Sequence, residues 1–229
     1  MSHLKELYRV EQLPVFQNRM FHSETDAKNC TKGDVVLVQD LETGLIFNNA
    51  FNPELMQYDV DYQNEQAVST VFQAHLNDVA NIISSNFHNN TLIEVGCGKG
   101  YFLDHLQRLG FNITGLDPVY EGSNPNVIKE YFTPAAGLHA DGIILRHVLE
   151  HVQDPVAFLS NLRDSNGGKG KIYIEVPCFD WICQHRAWFD IFYEHVNYFR
   201  IADFKRMFGR VYESGHVFGG QYQYVIADL

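Results

Sequence analysis

The sequence predicts an α/β protein built on an open, largely parallel sheet, and three observations carry that prediction. First, Thr91-Leu-Ile-Glu-Val-Gly-Cys-Gly-Lys-Gly100 joins a short apolar run, Leu92 to Val95, to glycines at 96, 98 and 100. Second, Tyr101, Phe102, Leu103, Leu106 and Leu109 follow at helical spacing and stop at Gly110, a good left-handed cap. Third, another apolar run, Phe111 to Leu116, ends at Asp117. Strand, glycine turn, helix and a second strand form the corner of an α/β sheet that cradles nucleotides. Glycine lets the backbone approach a ligand and adopt positive φ. The helix N-terminus offers unpaired N–H groups to an anion. A carboxylate at the end of the second strand can accept both hydroxyls of a ribose.

The glycine spacing narrows the choice of ligand. The dinucleotide fingerprint is G-x-G-x-x-G with an acid about 20 residues on, a distance that Asp117 fits. Here the glycines are one residue tighter, G-x-G-x-G, and Glu94 stands two residues before the first. Glu94-Val-Gly-Cys-Gly-Lys-Gly100 resembles motif I of the class I S-adenosylmethionine (SAM) methyltransferases, with Asp117 as the ribose acid. The resemblance implies a Rossmann-like, seven-stranded mixed sheet that ends in an antiparallel hairpin. It implies that the glycine turn holds the methionine part of SAM, with Glu94 near the amino group.

Taken in order, residues 1 to about 60 carry short extended runs, Leu13-Pro-Val-Phe16, Val35-Val-Leu-Val38 and Gly44-Leu-Ile-Phe47, with polar turns between them. They predict a small β appendage over residues 1–60, with hairpins around Gly33 and Glu42-Thr-Gly44. This region resembles the N-terminal zinc-ribbon module of sugar C-methyltransferases. Asp40-Leu-Glu-Thr-Gly-Leu45 stands where that module has C-x-x-C-G-L. Both cysteines are missing, so no metal is expected there.

The cofactor-binding domain is expected over residues 61–229. From Glu65 the apolar spacing of Val68, Val71, Phe72, His75, Leu76, Val79, Ile82 and Ile83 predicts an amphipathic helix of about 20 residues. In the family such a helix closes the SAM pocket, and a tyrosine just upstream reaches the ligands, which implies Tyr62 and then Tyr58. Asn126 to Phe132 reads as a short third strand. Asp141-Gly-Ile-Ile-Leu-Arg146 reads as the fourth, Val156 to Leu162 as a helix behind Asp154-Pro155, and Lys171 to Val176 as the fifth strand. Ala202 to Phe208 predicts a helix, and Val211–Phe218 with Gln221–Asp228 a closing antiparallel pair around Gly219-Gly220.

His147-Val-Leu-Glu-His151 also fits the inverted zinc-peptidase pattern H-x-x-E-H. That pattern needs both histidines on one helix face, and Pro155 leaves too little helix, so no metal is expected here either. H-V-L-E-H-V-x-D-P resembles the segment after strand four in class I methyltransferases, which borders the methionine moiety and the acceptor. The cofactor set implied by the resemblance is Glu94, Gly96, Cys97, Gly98, Gly100, Asp117, Pro118, Arg146, His147 and Tyr62. Ala187 to Phe199 is similar to the D-x-x-Y-H-E-H-x-x-Y-F segment of deoxysugar-nucleotide C-methyltransferases. Glu194, His195 and Tyr198 match, while Phe192 and Tyr193 replace the family's tyrosine and first histidine. The implied roles are His195 as general base, oriented by Glu194, with His151 and then His147 as competitors.

With 17 basic and 28 acidic residues the formal charge is −11, and no basic run supplies a phosphate-tracking face, so no nucleic-acid partner is expected and a small-molecule acceptor is. Cys30, Cys97, Cys178 and Cys183 form no framework, which reads as reduced thiols and a cytoplasmic protein. No apolar run reaches membrane-spanning length. The function expected is methyl transfer from SAM to a sugar, polysaccharide precursor or secondary metabolite. Two alternatives stay open: an NAD-dependent oxidoreductase, which would share the glycine turn and Asp117, and a non-catalytic SAM-binding or partner protein. The acceptor, the methylated atom and the oligomeric state are not encoded in any pattern read here.

Overall fold

The apolar runs become the inner strands of one large sheet. A computed structural model describes residues 3–56, 69–87 and 90–229. The chain opens with β1 (Leu4–Pro14), α1 (Glu24–Lys28), β2 (Lys32–Asp40) and β3 (Ile46–Asn48). Next come α2 (Thr70–Asn86), β4 (Thr91–Val95), α3 (Tyr101–Arg108), β5 (Asn112–Leu116) and β6 (Val127–Ile128). They are followed by β7 (Gly142–Arg146), α4 (Pro155–Ser165), β8 (Lys171–Pro177) and α5 (Phe179–His185). The chain ends with β9 (Asn197–Tyr198), α6 (Ile201–Met207), β10 (Val211–Val217) and β11 (Tyr222–Asp228).

The main sheet has seven strands in the order β6-β5-β4-β7-β8-β11-β10. β6, β5, β4, β7 and β8 are parallel; β11 runs antiparallel to β8, and β10 antiparallel to β11. The mixed sheet with a closing hairpin is therefore the one expected. Helices cover both faces, which is why β7 and β8 are apolar without alternation. Leu76, Val79, Ile83 and Phe87 of α2 and its cap pack with Leu103 and Leu106 of α3 on one face. Leu159 and Leu162 of α4 and Phe204 of α6 pack on the other. The chain leaves β4 toward one edge and returns at β7 toward the other, so the strand order reverses between them. Open α/β sheets bind ligands beyond the C-terminal ends of strands at such a reversal.

The N-terminal segment differs from its reading in two ways. β1 starts at Leu4, nine residues before the run that was expected to be extended, and it is largely exposed and polar, so no periodicity marked it. Gly33 makes no turn. It lies inside β2 paired with Leu13, and a Cβ there would stand 2.2 Å from the Tyr193 ring. The hairpin at residues 41–45 is as expected, with Gly44 at φ +78. Asp40 caps that turn by accepting from the Glu42 and Thr43 amides at 2.7 and 3.1 Å. β1, β2 and β3 form a second sheet completed by β9, from the aromatic insertion. Tyr193 docks that insertion on β2, its hydroxyl accepting from the Asn52 amide at 2.7 Å.

Substituting Gly33 by Ala forces the Tyr193 ring off β2. Denaturant unfolding of Gly33→Ala is expected to show a loss of about 1–3 kcal/mol, the usual cost of overpacking a close contact. Unchanged stability would mean that Tyr193 does not need this contact.

Candidate active site

The strand reversal opens a cavity of about 430 Å³. Its walls include Glu94 at the end of β4, Gly96, Cys97 and Gly98 of the turn, and Arg146 and His147 at the end of β7. Glu150, His151 and His195 line it too, as do Phe72 and Leu76 of α2. The glycine turn is required sterically: Gly96 has φ +72, and a Cβ on it would meet Val148 at 2.5 Å. Gly100, at φ +81, opens α3. Asp117 lies just past β5 and is not on the cavity wall. Its carboxylate accepts from the Gly98 amide at 2.8 Å and from Val119 at 2.9 Å, so it fixes the shape of the turn from behind. Pro118 follows it. Tyr62 and Tyr58 lie outside the described residues.

Below the cavity Glu175 of β8, fully buried, collects donors from three elements. His75 of α2 and His147 each place Nε2 2.9 Å from Oε1, Arg146 Nη2 donates to the same oxygen at 3.0 Å, and Tyr173 donates to Oε2 at 2.7 Å. Burial alone would raise this carboxyl. The Arg146 charge and the His147 and His75 hydrogen bonds outweigh it and hold Glu175 well below the usual carboxylate range. Nothing in the sequence singled out Glu175 or His75. The available signal was one acid in the apolar strand Lys171-Ile-Tyr-Ile-Glu-Val176 and one histidine on the apolar face of a helix.

The groups on the cavity wall are tuned in opposite directions. Burial pushes Glu94 up to about 7, against the pull of Arg146, and leaves its Oε2 without a partner. His147, at positive φ, is lowered by burial but raised overall to about 9 by the Glu150 and Glu175 carboxylates beside it, so it is an imidazolium at neutral pH. His195 is held well below the ordinary histidine range by burial and by His151 and His147; a hydrogen bond to the Asp190 backbone pulls weakly the other way. It is therefore neutral at physiological pH. The His195 ring stacks at 3.8 Å on Phe192 and meets His151 edge-on at 5.0 Å.

The structure brings His195 and His151 together but does not turn Glu194 toward either ring. The Glu194 carboxylate accepts from the Gln17 amide at 2.9 Å. Its backbone carbonyl accepts from His151 Nδ1 at 2.9 Å. Among the described residues, no hydrogen bond joins the Glu194 side chain to His195. Glu150, which sequence reasoning quoted only inside a motif, lies closer to the chemistry: ligand atoms of Glu150, His151 and His195 are all within 4.8 Å of one another. Gln17, Asn18, Phe218 and Tyr222 also line the cavity, brought there from both ends of the chain by tertiary structure alone.

With this geometry described, comparison with known proteins identifies the family. Residues 56–211 match the methyltransferase domain family. The chain belongs to this family. Curated relatives include the ubiquinone biosynthesis O-methyltransferases of Methylobacterium sp. (strain 4-46), 34% identical over 85 residues, and of Caulobacter vibrioides, 29% identical over 89. These matches cover 30% and 32% of this chain, and the chain spans about a third of those proteins, 33% and 35%. Among solved structures, a SAM-dependent methyltransferase from Archaeoglobus fulgidus aligns with TM-score 0.56 at 17% identity, over 72% of this chain and 97% of its own. Magnesium protoporphyrin IX methyltransferase from Synechocystis PCC 6803, with bound SAH, aligns with TM-score 0.52 at 15% identity, over 76% and 88%. The structural likenesses show the shared fold. No helix among the described residues is long and apolar enough to cross a membrane.

The two raised groups give this family member a definite pH dependence of stability. Glu94, raised from an ordinary carboxyl to about 7, costs stability as pH rises from about 4.5 to 7. His147, raised to about 9, contributes stability that is complete below about 6.5 and lost as pH rises through 9. Glu175, depressed, contributes stability that is present above about 4.5 and lost as pH falls through its folded value. Thermal melts are expected to peak near mildly acidic pH and decline toward pH 9.5. In His147→Gln the decline above pH 6.5 should flatten; a slope equal to wild type would show that His147 is not the group lost.

Proposed function

We propose that the protein transfers a methyl group from SAM to a small hydroxylated or enolisable acceptor. One observation carries the reading. A cavity at the strand reversal has the glycine turn and an unpartnered Glu94 at one end, and a neutral buried His195 beside His151 and Glu150 at the other. The first end suits the methionine part of SAM: Glu94 faces the ammonium, and Asp117, next to the turn though outside the cavity lining, has a further lone pair on each oxygen for the ribose hydroxyls besides those that accept from Gly98 and Val119. Arg146, half of an ion pair with Glu175, braces the floor. The second end suits an acceptor that must lose a proton.

SAM supplies an activated methyl on a sulfonium. This chain's residues then align the acceptor in line with the carbon–sulfur bond and receive its proton, work that alignment and general-base catalysis dominate. His195, neutral and walled by Phe192, is the group we assign to receive it. The acceptor class follows from two partial likenesses that agree on an oxygen-rich small molecule: the sugar C-methyltransferase-like segment around Glu194-His195, and the ubiquinone O-methyltransferase relatives. An NAD-dependent oxidoreductase is disfavoured by the methyltransferase-domain match. A SAM-binding protein without activity is separated by assay of acceptors.

Calorimetry is expected to show micromolar-range SAM binding that weakens at least tenfold in Asp117→Ala, since each lost hydrogen bond to a charged group is worth about 1.5–3 kcal/mol. Equal affinity, or binding of NAD in preference to SAM, would overturn the cofactor reading. A second titration tests Glu94. Its carboxylate is protonated below about 7, so SAM affinity should rise with pH from about 6 to 8 and binding should release a proton. Glu94→Gln should bind more weakly above pH 7 and show no such rise. A pH-independent wild-type affinity would remove Glu94 from the ammonium site.

A further inference from the structure

We propose that Glu150, rather than Glu194, is the carboxylate that partners His195 when the acceptor's proton is taken up. The inference rests on the methyl-transfer reading above and assigns a positioning role to a residue that the resemblance to C-methyltransferases does not supply.

Glu150 sits in a single turn of helix, Leu149–His151, directly after His147, with only 1% of its surface exposed. Among the described residues both of its carboxylate oxygens are buried without a hydrogen-bond partner, and it lines the cavity. A buried carboxylate in that condition is costly unless a cation or a donor reaches it. One cation is near on one side: His147 Nδ1 is 3.4 Å from Oε1. On the other side stand His151 and His195, each with a ligand atom within 4.8 Å of a Glu150 oxygen. The backbone holds this arrangement, since the Val196 amide donates to the Glu150 carbonyl at 2.8 Å and locks the His195 segment onto the turn. Glu194 is spent elsewhere, on the Gln17 amide.

The chemistry gives the unpartnered carboxylate a task. In the transfer step the acceptor's X–H bond breaks, its proton passes to a ring nitrogen of His195, and its electron pair forms the new bond to the methyl carbon. The carbon–sulfur bond breaks with its electrons on sulfur, leaving the neutral thioether. His195 thereby gains a positive charge in a pocket that already holds the His147 imidazolium, with His151 beside it and Arg146 neutralised by Glu175 beneath. Among the carboxyls around it, Asp190 hydrogen-bonds Gln221 and Glu194 faces Gln17. Glu194 Oε1 is also buried without a partner, but among the described carboxylates it is Glu150, shared with His147 on one side, that groups with His151 and His195 within 4.8 Å and can meet the new charge. His151 Nδ1 donates to the Glu194 carbonyl, and an imidazole ring carries no negative charge, so His151 cannot serve the His195 imidazolium as a counter-charge.

The test is the His195 imidazole titration, followed by nitrogen-15 NMR in the full chain, free and saturated with SAH. In Glu150→Gln, an isosteric change that removes the negative charge facing His147 and His195, the His195 midpoint should fall by about one pH unit, a tenfold weaker hold on the proton. Glu194→Gln should leave it in place, and SAH affinity should stay within about threefold of wild type in both. An unchanged midpoint in Glu150→Gln overturns the proposal, as does a shift in Glu194→Gln alone, or a wild-type His195 that stays neutral down to acid unfolding. About one divalent metal per wild-type chain, absent from Glu150→Gln, would also overturn it by making the cluster a metal site. Failure of SAH to bind would instead strike the methyl-transfer reading, and the titration of the free protein would still decide the role of Glu150.

Discussion

The site depends on one buried carboxylate. Glu175 lies at the centre of the sheet's C-terminal edge, where an unpaired charge could not persist, and the surroundings answer it with donors from α2, β7, the residue after β7 and its own strand. Removing one partner would leave the others around an uncompensated charge, so the four donors hold each other in place. The consequence is positional. α2 is fastened across the cavity by His75, Arg146 is held at the cavity floor by its ion pair with Glu175, and His147 is kept in a left-handed conformation that a non-glycine residue adopts only under such constraint. The chain then turns sharply enough to bring Val148 against Gly96 and Glu150 to the cavity wall.

From that arrangement the electrostatics of the cavity follow. Burial acts alike on Glu94, His147 and His195, favouring the neutral form of each, and the outcome differs because their partners differ. His147 has two carboxylates in contact and stays charged. Glu94 has only the more distant Arg146, which Glu175 already neutralises, and lies near half-protonation at pH 7. His195 has neighbours of its own kind and stays neutral. One end of the cavity thus has a carboxylate whose charge a bound cation can call up, while the other has a base without a proton. That division of labour is what moving a cationic methyl group to a protonated acceptor requires.

How much of this was legible in the sequence depended on whether the signal was local. Central strands β4, β5, β7 and β8 could be read because strands buried on both faces are predominantly apolar. The glycine turn, Glu94 and Asp117 were legible because one contiguous segment carries them. β1 was not, since a strand exposed along most of its length has no apolar side to display. Within the site, His195 and His151, expected as competing bases, both lie on the cavity wall, whereas Glu194, expected to orient His195 because the segment resembles that of the C-methyltransferases, has its carboxylate on the Gln17 amide. Consecutive side chains diverge in the loop, and the Glu194 carboxylate went to the N-terminal segment. Glu175 was hidden because it is one polar residue in an apolar strand whose meaning comes from His147 and His75, 28 and 100 positions away, and Glu150 because its motif gave no sign that the chain would bring His195 beside it.

The N-terminal sheet completes the argument about the insertion. Where the resembling module would be held by zinc, Asp40 here is occupied with two backbone amides of its own turn, and the sheet is held from outside. β9 extends it beyond β3, Tyr193 fills the space over Gly33, and Ile182, Ala187 and Tyr198 join Val35, Leu37 and Ile46 in one apolar cluster. The tyrosine that occupies the family's histidine position is thus part of the anchorage, with its hydroxyl on Asn52 and its ring on β2. The same insertion, two residues later, carries His195 to the cavity, and Gln17 from the end of β1 reaches back to Glu194. A base on a loop needs rigid support to be placed within a few tenths of an ångström. In this chain that support is the second sheet, whose strand pairing with β9 and apolar packing hold the segment that carries His195 to the cavity.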